Sequence, residues 1–273
     1  MGIRSFVPPV IIDAALLATR SRVGFTGYGT DFAAVAARCS GYEDAGVVAS
    51  YRAAALTRFS GSGEVPAGAQ DARSVRLVGA TAAACLLAGR SMELSILDFG
   101  GAHGAHYDAL RAVLGHRIAR HVIVESPAVV EGLEDLEGQV LEWRAAPPDR
   151  LLDVVGLVDV AIASSTVQYL PSPTDAIAGL ASIAPYVVLD RLPVVDHHEH
   201  FVMQQHTLYG GARVTYPAWF LSEAQINRFF EDQGLRVISR WDVPEDAPMV
   251  LRRRRPNCGM LLETPLARSA ARP

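Results

Sequence analysis

The sequence predicts an α/β fold with a mostly parallel sheet that helices cover on both faces. From Leu94 onward, short strands alternate with helical segments, and these strands are apolar along nearly their whole length. Such strands are typical of parallel sheets that are buried on both sides. The 273 residues are 50% hydrophobic and 20% charged, a composition that supports a sizeable core.

Seven strands and five helices are expected in this core. The strands are predicted at 95–99, 121–125, 140–145, 158–163, 186–190, 235–241 and 259–263. The helices are predicted at 71–89, 104–114, 127–136, 173–183 and 222–233. Ser222 is the expected N-terminal cap of the last helix, and Gly234 is expected to end it.

The chain is expected to have three parts. Residues 1–70 differ in pattern from the core and are predicted to form a helical cap or arm, with helices at 30–38 and 47–58. Homo- or hetero-oligomers would assemble through this arm. Residues 71–265 form the α/β domain, which includes a long loop at 190–222, and residues 266–273 form a flexible tail.

Composition and charge argue against several classes of protein. The formal net charge is −4 and the main basic run is Arg252–Arg255, so no nucleic-acid partner is expected. The apolar run at 6–18 is interrupted and no stretch reaches membrane-spanning length, so no membrane partner is expected either. The three cysteines lack C-x-x-C spacing, which favours a reducing cytoplasm. All 25 basic residues are arginine, which indicates a GC-rich bacterial source.

The most informative segment is the turn from Asp98 through Gly100, Gly101, Ala102 and His103 to Gly104. Glycine permits backbone angles that other residues avoid and lets the main chain approach a ligand closely. No Gly-Lys-Ser/Thr follows, so this is not a phosphate-binding loop, and the dinucleotide fingerprint fits poorly. The acid-x-Gly-x-Gly-x-Gly turn of S-adenosylmethionine (SAM) methyltransferases fits better, with Ala102 at the middle glycine. A purely structural strand-to-helix turn is the alternative.

Polar residues also end the other predicted strands. Glu125 ends the second strand, where a carboxylate can accept both hydroxyls of an adenosine ribose. The alternative is an acid that stabilises a helix N-terminus. Ser164 and Ser165 follow the fourth strand and Arg191 follows the fifth. Ligands of open parallel sheets bind beyond these carboxyl ends, so we expect a site there.

Several short blocks, in order, resemble a bacterial family of SAM-dependent methyltransferases across about residues 25–245. The blocks are Gly41-Tyr42-Glu43, Leu97-Asp98-Phe99-Gly100-Gly101, Val124-Glu125-Ser126-Pro127, Ser164-Ser165-Thr166-Val167-Gln168-Tyr169-Leu170, Asp190-Arg191-Leu192-Pro193, Gln205-His206 and Tyr216-Pro217-Ala218-Trp219-Phe220-Leu221-Ser222. The resemblance implies a class I methyltransferase-like Rossmann fold that uses SAM and releases S-adenosylhomocysteine. The residues expected to bind the cofactor are Asp98, Gly100, Gly101, His103, Gly104, Glu125, Ser164 and Ser165.

Three residues are candidates for catalysis on an acceptor. His206 is the preferred general base because histidine titrates near neutral pH, although a structural histidine fits equally well. Arg191 could hold an acceptor carboxylate or phosphate, or pair with Asp190 or Asp196. Tyr216 could wall the acceptor pocket, or belong to the core.

The loop also contains a histidine cluster. His197, His198 and His200 resemble metal ligands, and Asp196 and Glu199 could complete a site. The H-H-x-H pattern without a flanking carboxylate or cysteine pattern is a weak metal signal, so we expect no metal and favour a solvated or acceptor-facing loop.

These observations favour a methyltransferase that acts on a small molecule, such as a natural product or a sugar. Two alternatives stay open. The fold could serve a non-methylating reaction, such as a cyclisation or an elimination, in secondary metabolism. The chain could also be a non-catalytic subunit of a hetero-complex. Production of S-adenosylhomocysteine distinguishes methyl transfer from a non-methylating reaction. Copurification of a second protein would favour the non-catalytic subunit.

Overall fold

The computed structural model describes residues 24–41, 45–59, 72–89, 93–209, 212–244, 249–250, 253–254 and 256–270. The helices in these ranges are α1 Phe32–Ala36, α2 Ala45–Phe59, α3 Ala72–Leu87, α4 Ala105–Leu114, α5 Pro127–Leu133, α6 Leu151–Val154, α7 Pro173–Ile183, α8 Glu223–Asp232 and α9 Pro265–Ala270. The strands are β1 Gly24–Gly29, β2 Leu94–Phe99, β3 Ile118–Glu125, β4 Leu141–Ala145, β5 Val160–Ser164, β6 Tyr186–Leu192, β7 Val194–Val195, β8 Phe201–Tyr209, β9 Ala212–Ser222, β10 Arg236–Val243, β11 Met249–Val250, β12 Arg253–Arg254 and β13 Asn257–Glu263.

The main sheet has seven strands in the order β10-β13-β6-β5-β2-β3-β4. The neighbours from β6 to β4 pair in parallel, whereas β13 is antiparallel to both β6 and β10. All seven predicted strands are therefore confirmed. This is the class I methyltransferase-like Rossmann fold.

Alternate residues of each central strand point into two separate cores. Leu97 of β2 belongs to the core that contains Ile177 of α7 and Phe230 of α8. Its neighbour Ile96 belongs to the core that contains Leu77 of α3 on the other face. Because each strand must be apolar on both faces, the sequence shows continuous apolar runs rather than alternation.

Capping side chains set the starts of two of the predicted helices. The Ser172 side chain accepts the amide of Asp175 at the start of α7, and Pro173 occupies the first turn. The Ser222 side chain accepts the amide of Gln225 at the start of α8. The expected cap at Ser222 is confirmed, and Ser172 is the cap of α7.

The prediction of a loop at 190–222 is wrong for most of that segment. A second sheet forms there in the order β1-β8-β9-β7, and its first strand comes from the N-terminal arm. The rings of Phe201 and Phe220 stack 5.2 Å apart in this sheet, and Phe25 meets Phe220 edge-on at 5.1 Å. The arm is therefore not only helical: β1 joins it to the segment that follows β6.

The expectation of a flexible tail at 266–273 is also wrong for the residues that can be described. Pro265–Ala270 form α9, and the fully buried Thr264 precedes it. The Thr264 hydroxyl donates to the carbonyl of Ala184 and accepts the amide of Leu266. Residues 271–273, the run at 6–18, and Arg252 and Arg255 of the arginine run lie outside the described residues. Among the described helices, none combines the length and the apolar character needed to cross a membrane.

Two helical glycines should respond in opposite ways to alanine. A Cβ at Gly179 of α7 would overlap the carbonyl oxygen of Pro148, whereas a Cβ at Gly79 of α3 would meet nothing within 4 Å. We expect Gly179→Ala to lower the free energy of unfolding by about 1–3 kcal/mol. Gly79→Ala should raise it by up to about 1 kcal/mol, because alanine favours the helix. Chemical denaturation measures both; shifts in the same direction would contradict the packing described here.

Candidate functional site

The carboxyl ends of four adjacent strands form the candidate site. In sheet order they are β6, β5, β2 and β3, which end near Asp190, Ser164, Asp98 and Glu125. The chain leaves β2 toward β3 on one side and later returns to β5 on the other. The order of the strands therefore reverses between β2 and β5, where ligands of open α/β sheets bind.

Two glycines of the turn after β2 are required by close packing. A Cβ at Gly100 would overlap the Thr166 side chain, which follows β5, and a Cβ at Gly101 would overlap the Asp98 carboxylate. Gly100 also has a φ of +73°. Any larger residue at these positions would push the turn away from the sheet. The predicted need for glycine is therefore supported by close packing at both positions and by the backbone angle at Gly100.

Ala102 takes the left-handed conformation that glycine would favour, with a φ of +50°. Such a conformation costs an L-residue on the order of 1–2 kcal/mol. Hydrogen bonds to its amide and to its carbonyl hold Ala102 in this conformation. The amide of Ala102 donates to Oε1 of Glu125 at 3.0 Å, and its carbonyl accepts Nε1 of Trp143 at 3.0 Å. The middle position of the motif therefore keeps its turn geometry without glycine.

Glu125 brings the end of β3 to the turn. Its Oε2 accepts the amide of Ser126 at 3.1 Å, while Oε1 accepts that of Ala102. Burial raises the pKa of the Glu125 carboxyl, and the two amide bonds partly oppose that rise. Because each carboxylate oxygen can accept more than one hydrogen bond, the group can still accept hydroxyls of a ligand.

Asp98 lies beneath the turn and is fully buried. Its Oδ2 is 2.9 Å from Nδ1 of His106 and 3.8 Å from Nε2 of His121. Burial by itself would raise the pKa of the Asp98 carboxyl, but the two imidazoles outweigh it and hold the pKa below the ordinary value. With no exposed surface, Asp98 is placed to shape the turn rather than to touch a ligand.

The arm also holds the turn, through Arg58 in the last turn of α2. Its guanidinium donates to the carbonyl of His103, to the carbonyl of Gly104 at 3.0 Å and to the carboxylate of Asp108. Nothing in the sequence pattern indicated this residue, because its partners lie more than 40 positions away. The arm is therefore part of the site.

The ends of β5 and β6 form one polar cluster. The Ser164 hydroxyl donates to Oδ2 of Asp190 at 3.2 Å and accepts Nε of Arg191 at 3.1 Å. Arg191 also lies 4.0 Å from the Asp190 carboxylate, as the alternative interpretation of that arginine expected. Ser165 and Arg191 both have a φ of +55°. Strained backbone of this kind is concentrated at functional sites.

An aromatic wall connects the turn to the end of β5. The ring of His103 stacks on Tyr51 of α2, with centroids 5.9 Å apart. Tyr51 packs into the cluster that contains Tyr216 of β9. Tyr216 meets Tyr169 edge-on at 5.0 Å, and the Tyr169 hydroxyl is 3.4 Å from that of Ser165. The sequence singled out Tyr216 and His103, but it missed Tyr51 and gave Tyr169 no separate role.

The structure does not bring His206 to this wall. In the register of β8 and β9, His206 lies opposite Thr215 and Tyr216 lies opposite Gln205. Neighbouring residues of a strand point to opposite faces, so His206 and Tyr216 lie on different faces of the second sheet. Nε2 of His206 is 2.6 Å from the Thr26 hydroxyl on its own face. The three candidate catalytic residues are therefore not assembled in one place.

The histidines of the cluster at 197–200 contact other groups of the protein. Nδ1 of His200 accepts the amide of Ser222 at 2.8 Å, and burial lowers the pKa of this imidazole. His197 bonds through Nδ1 to the backbone of Glu199, and Nε2 of His198 is 3.4 Å from the Glu199 carboxylate. No group of three or more potential ligands suited to a metal is found in the described part of the chain.

No protein-family model matches the sequence, and no curated protein matches it either. Among solved structures, the chain is similar to a SAM-dependent methyltransferase from Clostridium acetobutylicum ATCC 824, with a TM-score of 0.49 and 10% identity over 77% of this chain and 98% of that one. It is also similar to 1,6-didemethyltoxoflavin-N1-methyltransferase from Burkholderia thailandensis, with a TM-score of 0.48 and 15% identity over 79% and 88%. A third is magnesium protoporphyrin IX methyltransferase from Synechocystis PCC 6803, with a TM-score of 0.44 and 15% identity over 82% and 93%.

The two ion-paired arginines of α2 offer a matched test of the arm. Arg58 is largely buried against the turn, whereas Arg52 pairs with Asp135 at the surface. Arg58→Gln should speed amide exchange across 100–108 and lower the free energy of unfolding by about 1–3 kcal/mol, because it leaves buried groups unpaired. Arg52→Gln should change it by less than about 1 kcal/mol. Hydrogen–deuterium exchange and denaturation measure both, and equal exchange in the two variants would refute the role of Arg58.

Proposed function

We propose that the chain is a SAM-dependent methyltransferase that acts on a small-molecule acceptor. One observation supports this most strongly: the Glu125 carboxylate is bonded to the amide of Ala102 within the glycine turn. That contact joins an acid on β3 to a closely packed turn on β2, beside the point where the strand order reverses. A nucleoside needs both features, a backbone that it can approach closely and a carboxylate for its ribose hydroxyls.

The residues present fit the cofactor. Glu125 would accept the ribose hydroxyls, and the backbone of Gly100 to Gly104 would lie along the nucleoside. When bound, SAM supplies a methyl group activated by positively charged sulfur.

The protein itself mainly has to align the acceptor and exclude water. The wall of His103, Tyr51, Tyr216 and Tyr169 would close one side of the site. Arg191 lies at the end of β6 with its Nε on Ser164, and it would hold an anionic group of the acceptor. We propose a natural product or a sugar as the acceptor. We also propose that the protein works in the cytoplasm of a bacterium and that the arm provides the surface for oligomer contacts.

One reason for a non-methylating alternative is now weaker. Ala102 departs from the methyltransferase motif, and that departure left room for other chemistry. Its φ of +50° and its bonds to Glu125 and Trp143 keep the turn in the shape that the motif requires. The replacement therefore does not argue against the proposed nucleoside site.

Binding of S-adenosylhomocysteine tests the site directly. We expect micromolar affinity by calorimetry, lost in Glu125→Ala because the ribose acceptor is gone and in Gly100→Val because the side chain would overlap Thr166. Matched controls are Glu131→Ala, an exposed acid on α5, and Gly138→Val, where a Cβ meets nothing within 4 Å. Unchanged binding in both site variants would remove the assignment.

The affinity should also fall as the solution is acidified. Only the ionised carboxylate is a full acceptor for two hydroxyls, and burial raises the pKa of Glu125 above that of an ordinary glutamate. S-Adenosylhomocysteine should therefore bind more weakly as the pH falls toward that raised pKa. Glu125→Gln should bind weakly and lose this pH dependence. A wild-type affinity independent of pH down to the range of an ordinary glutamate would contradict the ribose role.

A further inference from the structure

Asp98 and His106 form a carboxylate–imidazole pair at the centre of the site. Nδ1 of His106, in the first turn of α4, is 2.9 Å from Oδ2 of the fully buried Asp98. An ionised carboxylate only accepts hydrogen bonds, so this contact places the proton of a neutral imidazole on Nδ1. The basic lone pair is then on Nε2. A buried acid that fixes the tautomer of a histidine is a recurring arrangement in catalysis.

The free nitrogen of His106 can be reached from outside. Its side chain is 20% exposed, whereas that of Asp98 is not exposed at all. Among the described residues, no hydrogen-bond partner is found for Nε2 of His106. His106 is therefore held at the end of β2, beside the point where the strand order reverses between β2 and β5.

The other histidines of this region are less suited to accept a proton. Burial and the charge of Arg58 lower the pKa of His103 to about 4, and its ring is stacked on Tyr51. His121 is fully buried, with its Nε2 3.8 Å from the same oxygen of Asp98. His206 lies on the face of the second sheet opposite to Tyr216.

We propose that His106 is the general base of the reaction and that Asp98 is its positioning residue, a proposal that rests on the proposed methyl transfer. Nε2 of His106 takes the proton from an O–H or N–H of the acceptor. The electron pair freed on that atom forms the new bond to the methyl carbon, and the pair of the breaking C–S bond stays on sulfur. The imidazolium that results is stabilised by the Asp98 carboxylate and then releases its proton to water.

The ring protonation of His106 can be observed without any acceptor. Long-range ¹H–¹⁵N spectra of ¹⁵N-histidine protein, free and with S-adenosylhomocysteine, distinguish the two tautomers. We expect Nδ1–H in the wild type and loss of that preference in Asp98→Asn. His106→Asn assigns the signal and retains an amide that can donate to Asp98. His116→Asn, an exposed histidine after α4, is the matched control.

A second readout separates a base from a cofactor ligand. His106→Asn should change the affinity for S-adenosylhomocysteine by less than about threefold, which is under 1 kcal/mol at 1.4 kcal/mol per tenfold. With methyl-¹³C SAM and a panel of phenols, carboxylic acids and amines, it should slow any transfer by about 10²–10⁴-fold. Asp98→Asn should slow transfer by about 10–100-fold.

The outcomes are distinct. An Nε2–H tautomer in the wild type would overturn the proposal, and so would a loss of S-adenosylhomocysteine binding in His106→Asn with wild-type rates at saturation. The tautomer of His106 tests the proposal even if no member of the panel is methylated. If the wild type does not bind S-adenosylhomocysteine at all, the proposed function fails, and the tautomer still shows whether Asp98 orients His106.

Discussion

The hydrogen bond between the amide of Ala102 and the carboxylate of Glu125 is the contact on which the site depends. It links the turn after β2 to the end of β3, and it holds a residue in a conformation that costs an L-amino acid on the order of 1–2 kcal/mol. Gly100 and Gly101 are packed too closely against Thr166 and Asp98 to accept a side chain. Turn, acid and sheet therefore form one unit, and its shape is set by packing as well as by backbone freedom. The proposed ribose contact would use the same carboxylate.

The N-terminal arm completes this unit, since several contacts join it to the α/β domain. Its strand β1 pairs with β8, Arg58 of α2 donates to carbonyls of the turn, and Tyr51 packs between His103 and the Tyr216 cluster. A domain boundary at residue 70 describes the sequence pattern better than it describes the contacts.

The sequence predicted the main sheet well because strands buried on both faces are apolar throughout, as in β5 from Val160 to Ser164. It missed β1 because three of its six residues are glycine, so pairing with β8 and the Phe25–Phe220 contact determine the strand. Within the site, the glycine turn and Glu125 follow a local motif and were predictable. The roles of Arg58 and Tyr51 depend on distant partners, and the face of His206 depends on the register between β8 and β9. Local patterns contain neither kind of information.

A crystal structure of the complex with S-adenosylhomocysteine is the most direct test of the central claim. The account predicts that both ribose hydroxyls lie within hydrogen-bond distance of the Glu125 carboxylate and that the nucleoside lies along the backbone of Gly100 to Gly104. Nε2 of His106 should face open space beside the sulfur. A ligand bound elsewhere, or a ribose that makes no contact with Glu125, would contradict it.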